Sequence, residues 1–191
     1  MPRKSSAAKR RTIVLVATRK GAWLFHGDAA RKTWKVMIKG MDVVGGYGFD
    51  PAQPTFHDPH CLRMCPGNPD RIYQQNHCGI YRIDRPSDTW VRIGKSMPKK
   101  TGDIGFPVVV HPRDGGKTWQ RMNAGMPDNQ AWWTVKRQAM TRDTAATVGI
   151  YFGTTSGELW LSRNEGQRWA CIARHLPEIY AVETATLQAL R

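Results

Sequence analysis

Short apolar runs, broken by polar, glycine-rich and proline-rich stretches, set the pattern of this chain. Thr12 to Ala17 is one such run, Arg19-Lys20-Gly21 is a turn and Ala22 to Phe25 is the return, which predicts a hairpin over 12–26. Trp34 to Met41 predicts an outer strand, and 43–59 a loop. Cys61 to Met64 predicts a short inner strand, followed by the breaker-dense turn Pro66-Gly67-Asn68-Pro69-Asp70. Arg71 to Gln75 and Gly79 to Arg82 form the next predicted hairpin, Trp90 to Ile93 its outer strand, and Phe106 to His111 another inner strand. Thr147 to Phe152 is expected to pair with Glu158 to Leu161, with Trp169 to Ala173 beside them and Ile179 to Val182 as a last strand. Helical periodicity is lacking, although Ala185 to Leu190 suits a terminal helical turn. The expectation is an all-β fold.

A repeat underlies the runs. Aligned on Trp34, Trp90, Trp119 and Trp169, the chain has Met37, Ile93, Met122 and Ile172 three residues on. Seven residues on stand Met41, Met97, Met126 and Leu176, then Asp42, Pro98, Pro127 and Pro177. The best turn before a tryptophan has the form Ser-x-Asn-x-Gly-x-x-Trp, on Ser162, Asn164, Gly166 and Trp169. A short polar side chain can fold back on the backbone, and glycine tolerates positive φ, so this combination builds a tight hairpin with an inward tryptophan. Asp114, Gly116 and Trp119 carry a second copy. The copy ending at Trp90 has Arg85 and Ser87 at the Asn and Gly places, and the copy ending at Trp34 has Ala29 and Arg31.

These turns resemble the Asp-box, or BNR, repeat of the sialidase-like β-propellers, including bacterial proteins of exo-α-sialidase-like and glycosyl-hydrolase-like type. The stretches Thr12 to Gly21, Tyr73 to Arg82, Gly105 to Asp114 and Tyr151 to Gly157 carry the resemblance further, over most of 12–183. It implies a β-propeller of about four Trp-ended blade repeats. The tryptophan spacings of 56, 29 and 50 residues break the regularity, because 29 residues cannot hold four strands of about 5–6 residues with their turns. Against the family pattern, blade sequence is expected to be missing near 43–56 and near Asp114, which leaves an incomplete propeller. An open arc exposes sheet edges, so self-association or marginal stability is expected. A compact four-bladed ring is the alternative.

The 191 residues suffice for one domain, here 12–191, preceded by a basic tail at 1–11. The formal charge is +14, and Arg3, Lys4, Lys9, Arg10 and Arg11 supply five of it. The tail reads as a solvated, disordered terminus, and the remaining charge is scattered without the interleaved aromatics of a nucleic-acid groove. No apolar run approaches the ~20 residues of a membrane span, and Ile13 to Ala17 is too short for a signal-peptide core, so a cytoplasmic location is expected. Four irregularly spaced cysteines argue against a disulfide scaffold.

Gln74-Gln75-Asn76-His77-Cys78 is the most unusual polar run. It lies between two strands of a blade, where amides and imidazole can bind a glycan or another polar ligand in the propeller funnel, with Asp58 and His60 joining them. The other reading, and the favoured one, is that the amides satisfy the backbone of a tight connection. A zinc site from His57, His60, Cys61, Cys65, His77 and Cys78 has suitable donors, but Cys61 alternates with Leu62 and Met64 as a small hydrophobe would, and no metal or other cofactor is assigned. A glycosidase needs two facing carboxyl groups, or the sialidase tyrosine with an arginine cluster. No spacing among Asp58, Asp103, Glu158, Glu178 and Glu183 marks such a pair, and no catalytic residue is assigned. Trp132-Trp133 suits either stacking on a sugar or packing between blades. The reading is a non-catalytic binding or scaffold domain. The alternatives are a glycoside hydrolase acting on a glycan, as the resemblance implies, and a degraded product without selected function.

Overall fold

The computed structural model describes residues 13–18, 21–27, 30–36, 38–41, 59–111 and 118–187. They form three antiparallel sheets. The first is β1 (Ile13–Thr18), β2 (Gly21–Gly27) and β3 (Trp34–Val36), in that order. The second is β4 (Pro59–Cys65), β5 (Asn68–Asn76), β6 (Gly79–Asp84) and β7 (Val91–Arg92). The third is β8 (Met140–Arg142), β9 (Ile150–Gly153), β10 (Leu159–Ser162) and β11 (Ala170–Ala173). β2 packs beside β4, and no ladder joins the first sheet to the last among the described residues. The fold is all-β, with a single 3-10 turn at Gly94–Ser96 among the described residues.

Both four-stranded sheets are meanders in which each strand pairs with its sequence neighbour, as short tight turns dictate. Ile72 to Asn76 of β5 and Gly79 to Tyr81 of β6 are buried at consecutive positions, so both faces of the sheet are covered. Leu62, Ile72, Tyr81, Ile83 and Trp90 make one core cluster, with Met41 against it. Phe152, Trp160 and Trp169 make another, flanked by Met126, Trp133 and Met140.

The tryptophan repeat recurs as a set of hydrogen bonds. The residue seven past a tryptophan donates its N–H to the carbonyl four past it in three copies: Met41 to Ile38, Met97 to Gly94, and Met126 to Asn123. The next tryptophan then docks on the same segment. Trp90 N–H donates to Lys39 O at 2.7 Å, and Trp169 N–H to Ala124 O at 2.8 Å, each carbonyl five past the preceding tryptophan. The indole N–H of Trp119 reaches Ile93 O, and that of Trp169 reaches Met122 O, each at 3.0 Å and three past the preceding tryptophan. Gly40 and Gly125 stand six past, at φ 85° and 88°, and a Cβ there would lie 2.2 and 2.3 Å from the docked tryptophan's carbonyl. The sixth place after Trp90 is Ser96, and Trp119 makes no equivalent backbone bond among the described residues.

Several sequence expectations are corrected. Phe106 to His111 is not a strand. Among the described residues no strand pairs with it, and side chains hold it instead: Val110 packs on Cys65 and Tyr73, and Cys61 Sγ–H donates to Val108 O. Among the described residues Trp119 ends no sheet, and these residues form three sheets. Trp34 to Met41 and Trp90 to Ile93 contribute only Trp34–Val36 and Val91–Arg92 to ladders, because each then turns back on itself. Asn68 to Asp70 belongs to β5 rather than to a turn. Ile179 to Val182 makes one parallel bridge, between Ala181 and Gln138. The helical turn proposed for Ala185 to Leu190 is absent over 185–187, and its remainder lies outside the described residues, as do the basic tail and the segment 43–56.

Candidate functional site

The turn from β5 to β6 carries the predicted polar run. Asn76 Oδ1 accepts from the N–H of Cys78 at 2.7 Å and of Gly79 at 3.0 Å, so the carboxamide closes the turn on itself. Gln75 Nε2 donates to the carbonyls of Asn76, Gly79 and Asp103. Gln74 Nε2 faces Met41 Sδ at 3.5 Å. All three amides are buried, and Asn76 Nδ2 has no hydrogen-bond partner among the described residues. His77, at the tip of the turn, is exposed.

Behind His77 stands His60, on β4 and 5 % exposed. Its Nδ1 lies 2.6 Å from Gly105 O, and since a carbonyl only accepts, Nδ1 carries the proton. The Nε2 of a neutral His60 is then the acceptor for His77 Nδ1–H at 3.2 Å. The two rings meet edge to face with centroids 4.3 Å apart, and Phe106 lies 4.8 Å from His60 on a tilted plane. The Arg137 guanidinium sits 6.0 Å from the Phe106 ring centre. Two imidazoles, an aromatic face and a guanidinium thus gather at the end of the sheet where the β5–β6 turn lies. Asp58 lies outside the described residues.

Cys61 does not join this cluster as a ligand. Burial pushes its thiol pKa up, only partly offset by the nearby Arg63 charge, and the raised pKa favours the protonated sulfur, a poor donor to metal. Among the described residues no three His, Cys, Asp or Glu side chains gather as a metal site.

The turn before Trp169 has the predicted chemistry. Ser162 Oγ accepts from Gly166 N–H at 2.9 Å and donates to Asn164 Oδ1 at 3.0 Å, while Asn164 Oδ1 also accepts from Arg168 N–H. Glu165 within it stands at φ 59°. Trp119 has its indole bond, and Asp114 and Gly116 lie outside the described residues.

A second polar site has no signal in sequence order. A cavity of about 450 Å3 is lined by Val109, His111, Thr118, Arg142, Val148, Ile150 and Glu165. His111 Nε2 lies 3.3 Å from Glu165 Oε1, and Val148 N–H approaches the same oxygen at 3.5 Å. Glu165 sits in a turn and His111 at the end of an apolar run, so only the fold brings them together. Trp132 and Trp133 part company: Trp133 packs on Trp160 with centroids 5.5 Å apart, while Trp132 is 90 % exposed.

No family model matches the chain, and no curated protein matches it significantly. Fold and sites therefore define it only as an all-β protein of separate antiparallel sheets. Among the described residues no helix is long and apolar enough to cross a membrane.

Proposed function

We propose that this chain is a non-catalytic binding domain of the Asp-box β-propeller kind, which takes a polar ligand, a glycan by resemblance, at the end of β4–β6 where His60 and His77 meet. The observation that carries this reading is the presentation of His77. A platform of buried amides holds its turn rigid, while its imidazole stands in solvent against His60, which in turn meets Phe106, with Arg137 near that ring. Preorganised polar groups next to an aromatic face suit recognition of a hydroxylated ligand. The repeated docking of Trp90 and Trp169 on the segment after the preceding tryptophan supports the kinship with Asp-box propellers.

Four carboxylates among the described residues are committed to partners, which favours binding over hydrolysis. Asp84 pairs with Arg71 and Arg82, Asp103 with Arg92 in a two-pronged bridge, and Glu165 with His111. Asp143 is enclosed by the N–H groups of Ala145 and Gly149 and the hydroxyl of Tyr151. Groups committed in this way are poorly placed to act as an acid and a nucleophile across a glycosidic bond. The test is a glycan array probed with the full chain, together with fluorogenic sialoside and hexoside substrates. Binding without turnover is expected, with His77→Ala weakening it at least about tenfold at an unchanged melting temperature. Turnover above background, or an array with no bound glycan, would sink the reading.

A further inference from the structure

At the β9–β10 turn, the counterpart of the turn that carries His77, a separate cavity of about 440 Å3 is lined by Trp132, Glu158, Arg174 and His175 among others. That volume lies within the ~300–1,000 Å3 typical of ligand sites. Its walls come from three segments tied together by backbone. Thr155 N–H donates to Thr134 O and Thr134 N–H to Thr155 Oγ1, each at 2.9 Å. Leu176 N–H donates to Gly157 O, and Gly157 is so close to Leu176 that a Cβ there would lie 1.8 Å from its carbonyl oxygen. The cavity is thus rigid before anything enters it.

Trp132 is held out of the core by its neighbours. Gln130 stands at φ 58°, and Trp133 N–H donates back to Ala131 O, a tight bend after which Trp133 packs on Trp160 while Trp132 is left in solvent, both lining the cavity. Beyond the indole, the cavity holds one carboxylate and one guanidinium that do not pair with each other. Glu158 Oε2 accepts a long bond from Trp160 Nε1 at 3.4 Å, and Arg174 makes no hydrogen bond or ion pair among the described residues.

His175 explains why this place stays open. It is the sixth residue after Trp169, the place held by Gly40 and Gly125 in the copies that receive a following tryptophan, and it keeps their left-handed backbone at φ 60°. The Cβ that would collide with a docked tryptophan's carbonyl at those glycines is present in His175, so the backbone docking seen at Gly40 and Gly125 is blocked there.

We propose that this cavity is a subsite for a neutral, β-linked hexopyranoside oligosaccharide. The flat C–H face of a β-linked sugar covers the Trp132 indole. Vicinal hydroxyls donate to the Glu158 carboxylate and accept from the Arg174 guanidinium, and the balance of one acid and one base selects an uncharged ring. The site is distinct from the imidazole pair and does not depend on it.

The test is calorimetric titration of the full chain with cellohexaose, chitohexaose and maltohexaose. Saturable binding of a β-linked hexasaccharide is expected, with the α-linked maltohexaose weaker. Trp132→Ala should weaken binding at least about tenfold and Trp132→Phe by no more than about threefold. Because Trp132 is almost wholly exposed, neither variant should shift the melting temperature. Glu158→Gln, which keeps the shape and removes the charge, should also weaken binding. No saturable heat with either β-linked sugar, or an affinity unchanged in Trp132→Ala, would overturn the assignment.

Discussion

The two four-stranded sheets reach the same end by different chemistry. In the β8–β11 sheet, the turn before Trp169 is tied by its own side chains, Ser162 Oγ and Asn164 Oδ1 capturing the N–H groups of Gly166 and Arg168. In the β4–β7 sheet, Arg85 and Ser87 occupy the corresponding places. There the turn is held by Arg85 N–H on Asp70 O, Thr89 N–H on the exposed Ser87 Oγ, and Asp84 bridged to Arg71 and Arg82. Yet Trp90 and Trp169 end 2 % and 7 % exposed, each with its N–H on the carbonyl five residues past the preceding tryptophan. What the sheets share is the buried indole and its backbone seat. Any local bonding that delivers the tryptophan to that seat suffices.

If the seat and not the turn dominates, substitutions should rank accordingly. Trp90→Ala and Trp169→Ala should each cost about 3–5 kcal/mol in urea unfolding, the range for truncating a buried aromatic. Trp119, half-buried and without the backbone bond, should cost clearly less. Equal losses at Trp119 and Trp169 would erase the distinction between a docked and an undocked copy. Next in size are the glycines of the seat. Gly40→Ala and Gly125→Ala must place a methyl within 2.2–2.3 Å of a carbonyl at positive φ, and should cost about 1–3 kcal/mol. Ser96→Ala, at the same place of the copy that docks nothing, should stay within about 0.5 kcal/mol. Smaller still is the turn chemistry. Ser162→Ala strands the buried N–H of Gly166 and should cost about 1–2 kcal/mol, while Ser87→Ala, at the surface, should be near neutral. A larger loss at Ser87 than at Ser162 would mean the β4–β7 sheet depends on its turn after all.

The same comparison explains what the letters reveal. β1, β2, β5, β6, β9 and β10 fall on the apolar runs, because a run long enough to alternate or to be buried on both faces marks itself. β8 is three residues long and offers no period to read. Phe106 to His111 has the composition of a strand and is not one, because strand identity belongs to a pair, and no partner strand lies against it among the described residues. The glycine six residues past Trp34 and Trp119 is a sequence signal too, intelligible only with the hydrogen bond it makes room for. At the site, the oddity of Gln74 to His77 is visible in the sequence, but amides that serve a ligand and amides that serve a turn have the same letters. Burial alone assigns Gln75 and Asn76 to the backbone and leaves His77 outside.

The finest contrast concerns acid. Burial by itself would raise the Asp143 carboxyl, but hydrogen bonds from the N–H groups of Gly149 and Ala145 and from the Tyr151 hydroxyl outweigh it, and the pKa is held below the usual carboxylate value. A depressed folded-state pKa contributes stability that is present above the unfolded value of about 3.9 and is lost as pH falls through the folded one. The β8–β9 connection should therefore loosen below about pH 4, ahead of the seat of Trp169 on Met122 and Ala124, which is made of backbone carbonyls. Asp143→Asn keeps an oxygen to accept the two N–H bonds but removes the charge. Its stability deficit should be constant near neutrality and shrink below about pH 4, as the wild-type carboxylate takes up its proton. Thermal melts of both proteins between pH 3 and 7 measure this directly. A deficit that stays flat to pH 3 would remove Asp143 from the account and leave the bend at 143–149 held by its backbone alone.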